Sequence, residues 1–151
     1  MAYEIRVEDV EPQTIASVRR RAKIPQLSTV VPAACGEVWN FVQTAGIPDP
    51  GRHVAVYRDG GDGQLDVEIG VEVASPFTGD GTFSCSATPA GTVATTVHIG
   101  PYNRLGEAHE AIARWCRDHH RDPAGINWEI YGHWDNDPEK LRTDVFYLLD
   151  T

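Results

Sequence analysis

The chain has 151 residues, of which 41% are hydrophobic and 23% charged, and a formal net charge of −9. This length allows one domain, or two tightly joined half-domains, with a core and a small-molecule cavity. The acidic balance argues against nucleic acid as the main partner, because phosphate binding needs a positive field. The one basic run, Arg19-Arg20-Arg21-Ala22-Lys23, is offset by Glu8, Asp9 and Glu11 nearby. No apolar run approaches the roughly 18–20 residues of a membrane span, and residues 1–10 lack the basic-then-apolar pattern of a signal peptide. A cytoplasmic location away from membranes is therefore expected.

In chain order, residues 3–10 alternate Tyr3, Ile5 and Val7 against Glu4, Arg6 and Glu8, the period of a half-buried strand. Glu11-Pro12 interrupts it, and residues 15–24 read as a second strand that Pro25 ends. Residues 27–44 read as a helix in two pieces, because Pro32 and Gly36 fall inside it. Val38, Phe41, Val42 and Ala45 recur there at helical spacing, and Gly46 is a natural stop. Residues 53–57 and 65–73 predict a hairpin around Asp59-Gly60-Gly61-Asp62-Gly63. Residues 76–91, rich in Gly, Ser, Thr and Pro, read as a linker with a short strand at 83–86. Residues 92–99 predict a strand and 102–120 a helix, whose buried stripe is Leu105, Ala108, Ile112, Trp115 and Cys116. Strands at 126–134 and 142–149 complete the chain.

The halves, about 3–75 and about 92–151 with the linker between them, share one order of elements: strand, helix, strand, strand over 15–73 and again over 92–149. Ile24-Pro25 lines up with Ile99-Gly100-Pro101, and Trp39 with Trp115. Two such modules would form an antiparallel-rich sheet with both helices on one face, an α+β arrangement. The groove between the halves is then a natural ligand cleft.

The chemistry-bearing patterns are few. Cys35, Cys85 and Cys116 are widely spaced with no Cys-x-x-Cys, so neither a zinc site nor a disulfide framework is supported. The six histidines show no metal-ligand spacing, there is no Gly-x-Ser-x-Gly, and residues 59–63 lack the Lys-Ser/Thr of a phosphate loop. No metal and no cofactor are expected.

The run His98-Ile99-Gly100-Pro101-Tyr102-Asn103-Arg104-Leu105-Gly106-Glu107-Ala108, then Trp115, Trp128-Glu129-Ile130-Tyr131 and Thr143-Asp144-Val145-Phe146, resembles the GyrI-like small-molecule-binding family. Gln13-Thr14-Ile15-Ala16-Ser17-Val18-Arg19 resembles the family's early strand. These are the effector-binding domains of multidrug-sensing transcription activators, together with stand-alone forms. The resemblance implies two strand–helix–strand–strand modules related by a pseudo-two-fold, with a ligand cleft between them. It implies that Glu129 lies at the base of an aromatic pocket, with Tyr131 beside it. The sequence shows no helix-turn-helix segment, so direct nucleic-acid binding is not expected.

Glu129 and Tyr131 share one side of their strand, with Trp128 and Ile130 on the other. A carboxylate among aromatic rings is costly to desolvate unless paired, and a flat cation would both neutralise it and stack. Tyr102, Trp128 and Tyr131 are expected to shape the pocket, and Trp39, Tyr57, Phe83 and Tyr147 are candidate walls. The leading expectation is a stand-alone binding protein for lipophilic, cationic aromatic ligands. Alternatives are a hydrolase of cyclopropane-containing DNA-alkylating natural products, with Glu129 as general base, and a protein inhibitor of a partner such as gyrase. The structural alternative for Glu129 is internal pairing with Arg104 or Arg142.

Overall fold

A computed structural model describes residues 3–150. Its strands are β1 (Arg6–Val10), β2 (Thr14–Ala22), β3 (His53–Gly61), β4 (Gln64–Glu72), β5 (Ser84–Ala87), β6 (Gly91–Ile99), β7 (Pro123–Tyr131) and β8 (Arg142–Leu149), and its α-helices are α1 (Leu27–Thr44) and α2 (Gly106–Asp118). The class is α+β, and the strand pairings within each unit are antiparallel. The chain divides into two compact units, Pro12–Thr88 and the residues flanking it on both sides.

The Pro12–Thr88 unit orders its strands β3-β4-β2-β5. Helix α1 buries Val31, Ala34, Val38 and Val42, which recur at three- and four-residue steps as one stripe. It is a single helix across Pro32, where two pieces were expected. Pro32 lies in the second turn, where its missing N–H forfeits one bond, and Gly36 is unobstructed. The helix ends at Gly46, whose φ of 68° places it in the left-handed region that favours glycine. Strand β3 runs further than its alternation predicted, to Gly61, with a register shift between Asp59 and Gly61. Residues 76–91 hold β5, and their two phenylalanines, Phe77 and Phe83, lie against Phe41 of α1 at ring-centroid distances of 5.8 and 4.6 Å.

The second unit orders its strands β1-β6-β8-β7. Strand β1, expected with the first half of the chain, pairs with β6 from Arg6 opposite Thr95 to Val10 opposite Gly91. Ala94, Leu105, Ala108, Ile112, Cys116, Val145 and Leu149 form the core beneath α2, and Tyr3, Ile5, Trp115, Tyr131 and Tyr147 pack at its margin. The helix expected over 102–120 opens instead with a 3-10 turn, Tyr102–Arg104, and α2 proper spans Gly106–Asp118. Strand β7 begins and ends three residues earlier than expected, at Pro123 and Tyr131. Trp134 is therefore outside the strand, 73% exposed.

The repeat read from element order is a repeat of topology. In each unit the last long strand, β4 or β8, is hydrogen-bonded between the other two strands of its module. In each, a short edge strand, β5 or β1, adds to the first.

Candidate functional site

Strand alternation decides what β7 presents to α2. Glu129 is opposite Val145, Tyr131 opposite Thr143, and Asn127 opposite Tyr147. Val145 and Tyr147 belong to the core under α2, so Glu129 and Tyr131 share that face. Trp128 and Ile130 take the other face, where Trp128 is buried and stacked on Phe146 with centroids 5.2 Å apart.

Glu129 is only 6% exposed. The Tyr131 hydroxyl donates to its Oε1 at 2.5 Å, and His109 Nε2 is 2.6 Å from its Oε2. The second imidazole nitrogen, Nδ1, is 2.6 Å from the Tyr147 hydroxyl. Burial first, then the Glu129 carboxylate, then Cys116, push the Tyr147 phenol up to about 12. Tyr147 therefore keeps its proton at neutral pH, and with a neutral imidazole the direction of the chain is fixed. The Tyr147 O–H donates to Nδ1, and Nε2–H donates to the carboxylate. Tyr102 lies edge-on to Tyr131, centroids 5.7 Å apart, and is 42% exposed, which places it at the solvent end of the cluster.

Two further groups border the row. Thr143 is fully buried, and its hydroxyl has no hydrogen-bond partner among the described residues. His98, opposite Thr143 on β6, is bonded through Nδ1 to the Tyr3 hydroxyl at 2.9 Å and through Nε2 to the Pro101 carbonyl at 3.1 Å. Arg104 and Arg142, the expected internal partners of Glu129, pair with Glu107 at 3.3 Å and Asp144 at 2.9 Å. Among the described residues no three His, Cys, Asp or Glu side chains are grouped to hold a metal ion.

Of the residues singled out from sequence, Glu129, Tyr131, Tyr102 and Tyr147 come together within the second unit. Trp128 is on the opposite face of their sheet, which follows from its adjacency to Glu129 on a strand. Trp39, Tyr57 and Phe83 belong to the Pro12–Thr88 unit. There Trp39 lies near the His53 ring at 6.0 Å, Tyr57 is buried on β3, and Phe83 stacks on Phe41. Sequence reasoning missed His109 as a partner of Glu129. The signal was present: position 109 is four after Leu105 and three before Ile112, so this histidine interrupts the buried stripe of α2.

Residues 3–149 match the profile of the GyrI-like small molecule binding domain. The chain belongs to the GyrI-like family. Small-molecule binding is accordingly the general function of this domain. No curated protein was found to match. Among solved structures, the C-terminal domain of EcmrR superposes with a TM-score of 0.80 at 18% identity, covering 100% of this chain and 99% of that one. The EcmrR–DNA complex matches at 0.79 and 19%, with this chain corresponding to 59% of that one. SAV2435 bound to tetraphenylphosphonium matches at 0.63 and 11% identity, over 99% of this chain and 94% of that one. Among the described residues, no helix is long and apolar enough to cross a membrane.

Proposed function

We propose that the Glu129 site binds lipophilic, cationic aromatic molecules, so that the protein acts as a cytoplasmic receptor or sequestering protein for them. The observation that carries this reading is a buried carboxylate on β7 among aromatic side chains, accepting from the Tyr131 hydroxyl and 2.6 Å from His109 Nε2. Such a carboxylate gains most from a cation that enters with its own charge, and the faces of Tyr131 and Tyr102 offer it quadrupolar attraction of roughly 0.5–2 kcal/mol per contact. SAV2435, which shares the fold, is bound to tetraphenylphosphonium, a cation made of four aromatic rings.

The test is a titration of wild type and Glu129→Gln with tetraphenylphosphonium and with a neutral aromatic dye, followed by tryptophan fluorescence. Wild type should saturate with the cation in the micromolar range, and the variant should bind it more weakly by about 1–3 kcal/mol. Equal binding to both proteins would make Glu129 a structural residue.

The hydrogen-bonded Glu129–His109 pair supports a second reading, a hydrolase in which Glu129 takes a proton from water as general base. Mass spectrometry of a recovered ligand separates the two: binding returns it unchanged, while hydrolysis adds the elements of water.

A further inference from the structure

The chain Tyr147–His109–Glu129–Tyr131 has a property that simple burial of a carboxylate lacks. His109 uses both ring nitrogens, one on Tyr147 and one on Glu129. Protonation changes the sense of one bond only. In the neutral ring Nδ1 accepts from Tyr147, whereas in the imidazolium Nδ1–H donates to the Tyr147 oxygen and Nε2–H still donates to Glu129. Both states fit the same geometry, so the ring can load or lose a proton without moving. When loaded, it is itself a cation 2.6 Å from the carboxylate that an incoming cation would need.

Other titratable groups of this unit surround the pair. Tyr131 on β7 and Tyr147 on β8 are phenols, and Tyr147 is held in its protonated form well above neutral pH. Cys116, on α2 itself, is a thiol pushed upward by burial. On β6, His98 is engaged with Tyr3 and the Pro101 carbonyl. Arg104 and Glu107, at the start of α2, pair with one another at the surface. The Thr143 hydroxyl, fully buried in the same pleat row as Tyr131, has no hydrogen-bond partner among the described residues.

We propose that His109 is the specificity-determining residue of this site: its proton and an organic cation compete for Glu129. Binding a permanently charged aromatic cation then expels a proton and strengthens as pH rises, while a neutral aromatic gains nothing from the rise. The inference rests on the reading of Glu129 as a cation site. The sign follows from linkage: affinity rises with pH wherever the free protein holds more protons than the complex. Imidazole is the side chain that gains and loses its proton under mild conditions, which makes the exchange accessible to titration.

The experiment is calorimetric titration of wild type and His109→Gln with tetraphenylphosphonium from about pH 5.5 to 8, in buffers of different ionisation heat. Wild type should gain affinity as pH rises, by up to about tenfold per pH unit, and release up to about one proton per cation. In His109→Gln the cation should still bind, with a flat profile over this pH range and no proton release. Proton release from wild type tests the idea even if the variant fails to fold. If the cation binds wild type with neither pH dependence nor proton release, or if the variant keeps the full slope, the role of His109 is overturned while Glu129 stands. If the cation binds at no pH, the functional reading and this inference fall together.

Discussion

Glu68 and Glu129 are both buried carboxylates on strands of an antiparallel sheet, one in each unit, and different side chains lie against them. Glu68, on β4, accepts from the Ser17 hydroxyl at 2.7 Å and lies 3.4 Å from Arg58 and 3.6 Å from Arg19. Its row alternates with that of Arg20, which reaches Glu37 of α1, so Glu68 is on the face away from its helix. Glu129 lies on the face beneath its helix, bonded to an imidazole and a phenol. Guanidinium keeps its charge at any pH the fold survives, whereas imidazole does not. A carboxylate fixed by guanidinium groups is part of the scaffold. One held through a titratable ring can change its counter-charge. On the reading proposed for Glu129, the same topology serves support in one unit and exchange in the other.

The strongest way to break the comparison is to remove packing from the unexchangeable face of the Glu129 unit. Trp128→Ala should cost about 3–5 kcal/mol in chemical denaturation, because a buried ring stacked on Phe146 leaves a cavity. Where the variant is folded, tetraphenylphosphonium should bind as it does to wild type. Lost binding in folded protein would show that both faces of β7 matter. Next in size, Glu68→Gln should lose about 1–3 kcal/mol of stability, since it strands two arginines against a buried amide. The arginines are 66% and 30% exposed, and water softens the loss. Cation binding should not change. Glu129→Gln should do the reverse, shifting stability by less than about 1 kcal/mol while weakening binding. If both glutamates behave alike in the two assays, the distinction between scaffold and exchange fails.

Strand–helix–strand–strand order was legible because alternation and helical stripes survive in each module, and β8 was read with its true bounds. What failed were ends and interruptions. Pro32 lies early enough in α1 for the helix to absorb it, and local sequence does not reveal that tolerance. The pairing of β1 with β6 is a long-range choice that alternation within 3–10 cannot encode. At the candidate site, the shared face of Glu129 and Tyr131 was legible from strand parity, and the same parity places Trp128 on the opposite face. His109 needed two elements at once: it becomes meaningful only when the α2 stripe is set against the Glu129 row.

The smallest effect is the most direct reading of the hydrogen-bonded chain. Tyr147 is pushed up to about 12 by burial first and by Glu129 second. A phenol whose folded value is raised favours the folded state fully below the unfolded value near 10, and that contribution is lost as pH climbs from about 10 to 12. Of five tyrosines, Tyr147 should be a late one in a phenolate absorbance titration. Tyr3 is also held upward, again by burial and then by Glu107, so assignment requires Tyr147→Phe, which should remove a late transition. In Glu129→Gln the Tyr147 transition should move down only in part, because burial remains when the charge is gone. A full return to about 10 would mean that charge, not burial, holds the proton on Tyr147. No movement would mean that the carboxylate and the phenol are not electrically coupled through His109, and the exchange attributed to the ring would lose its footing.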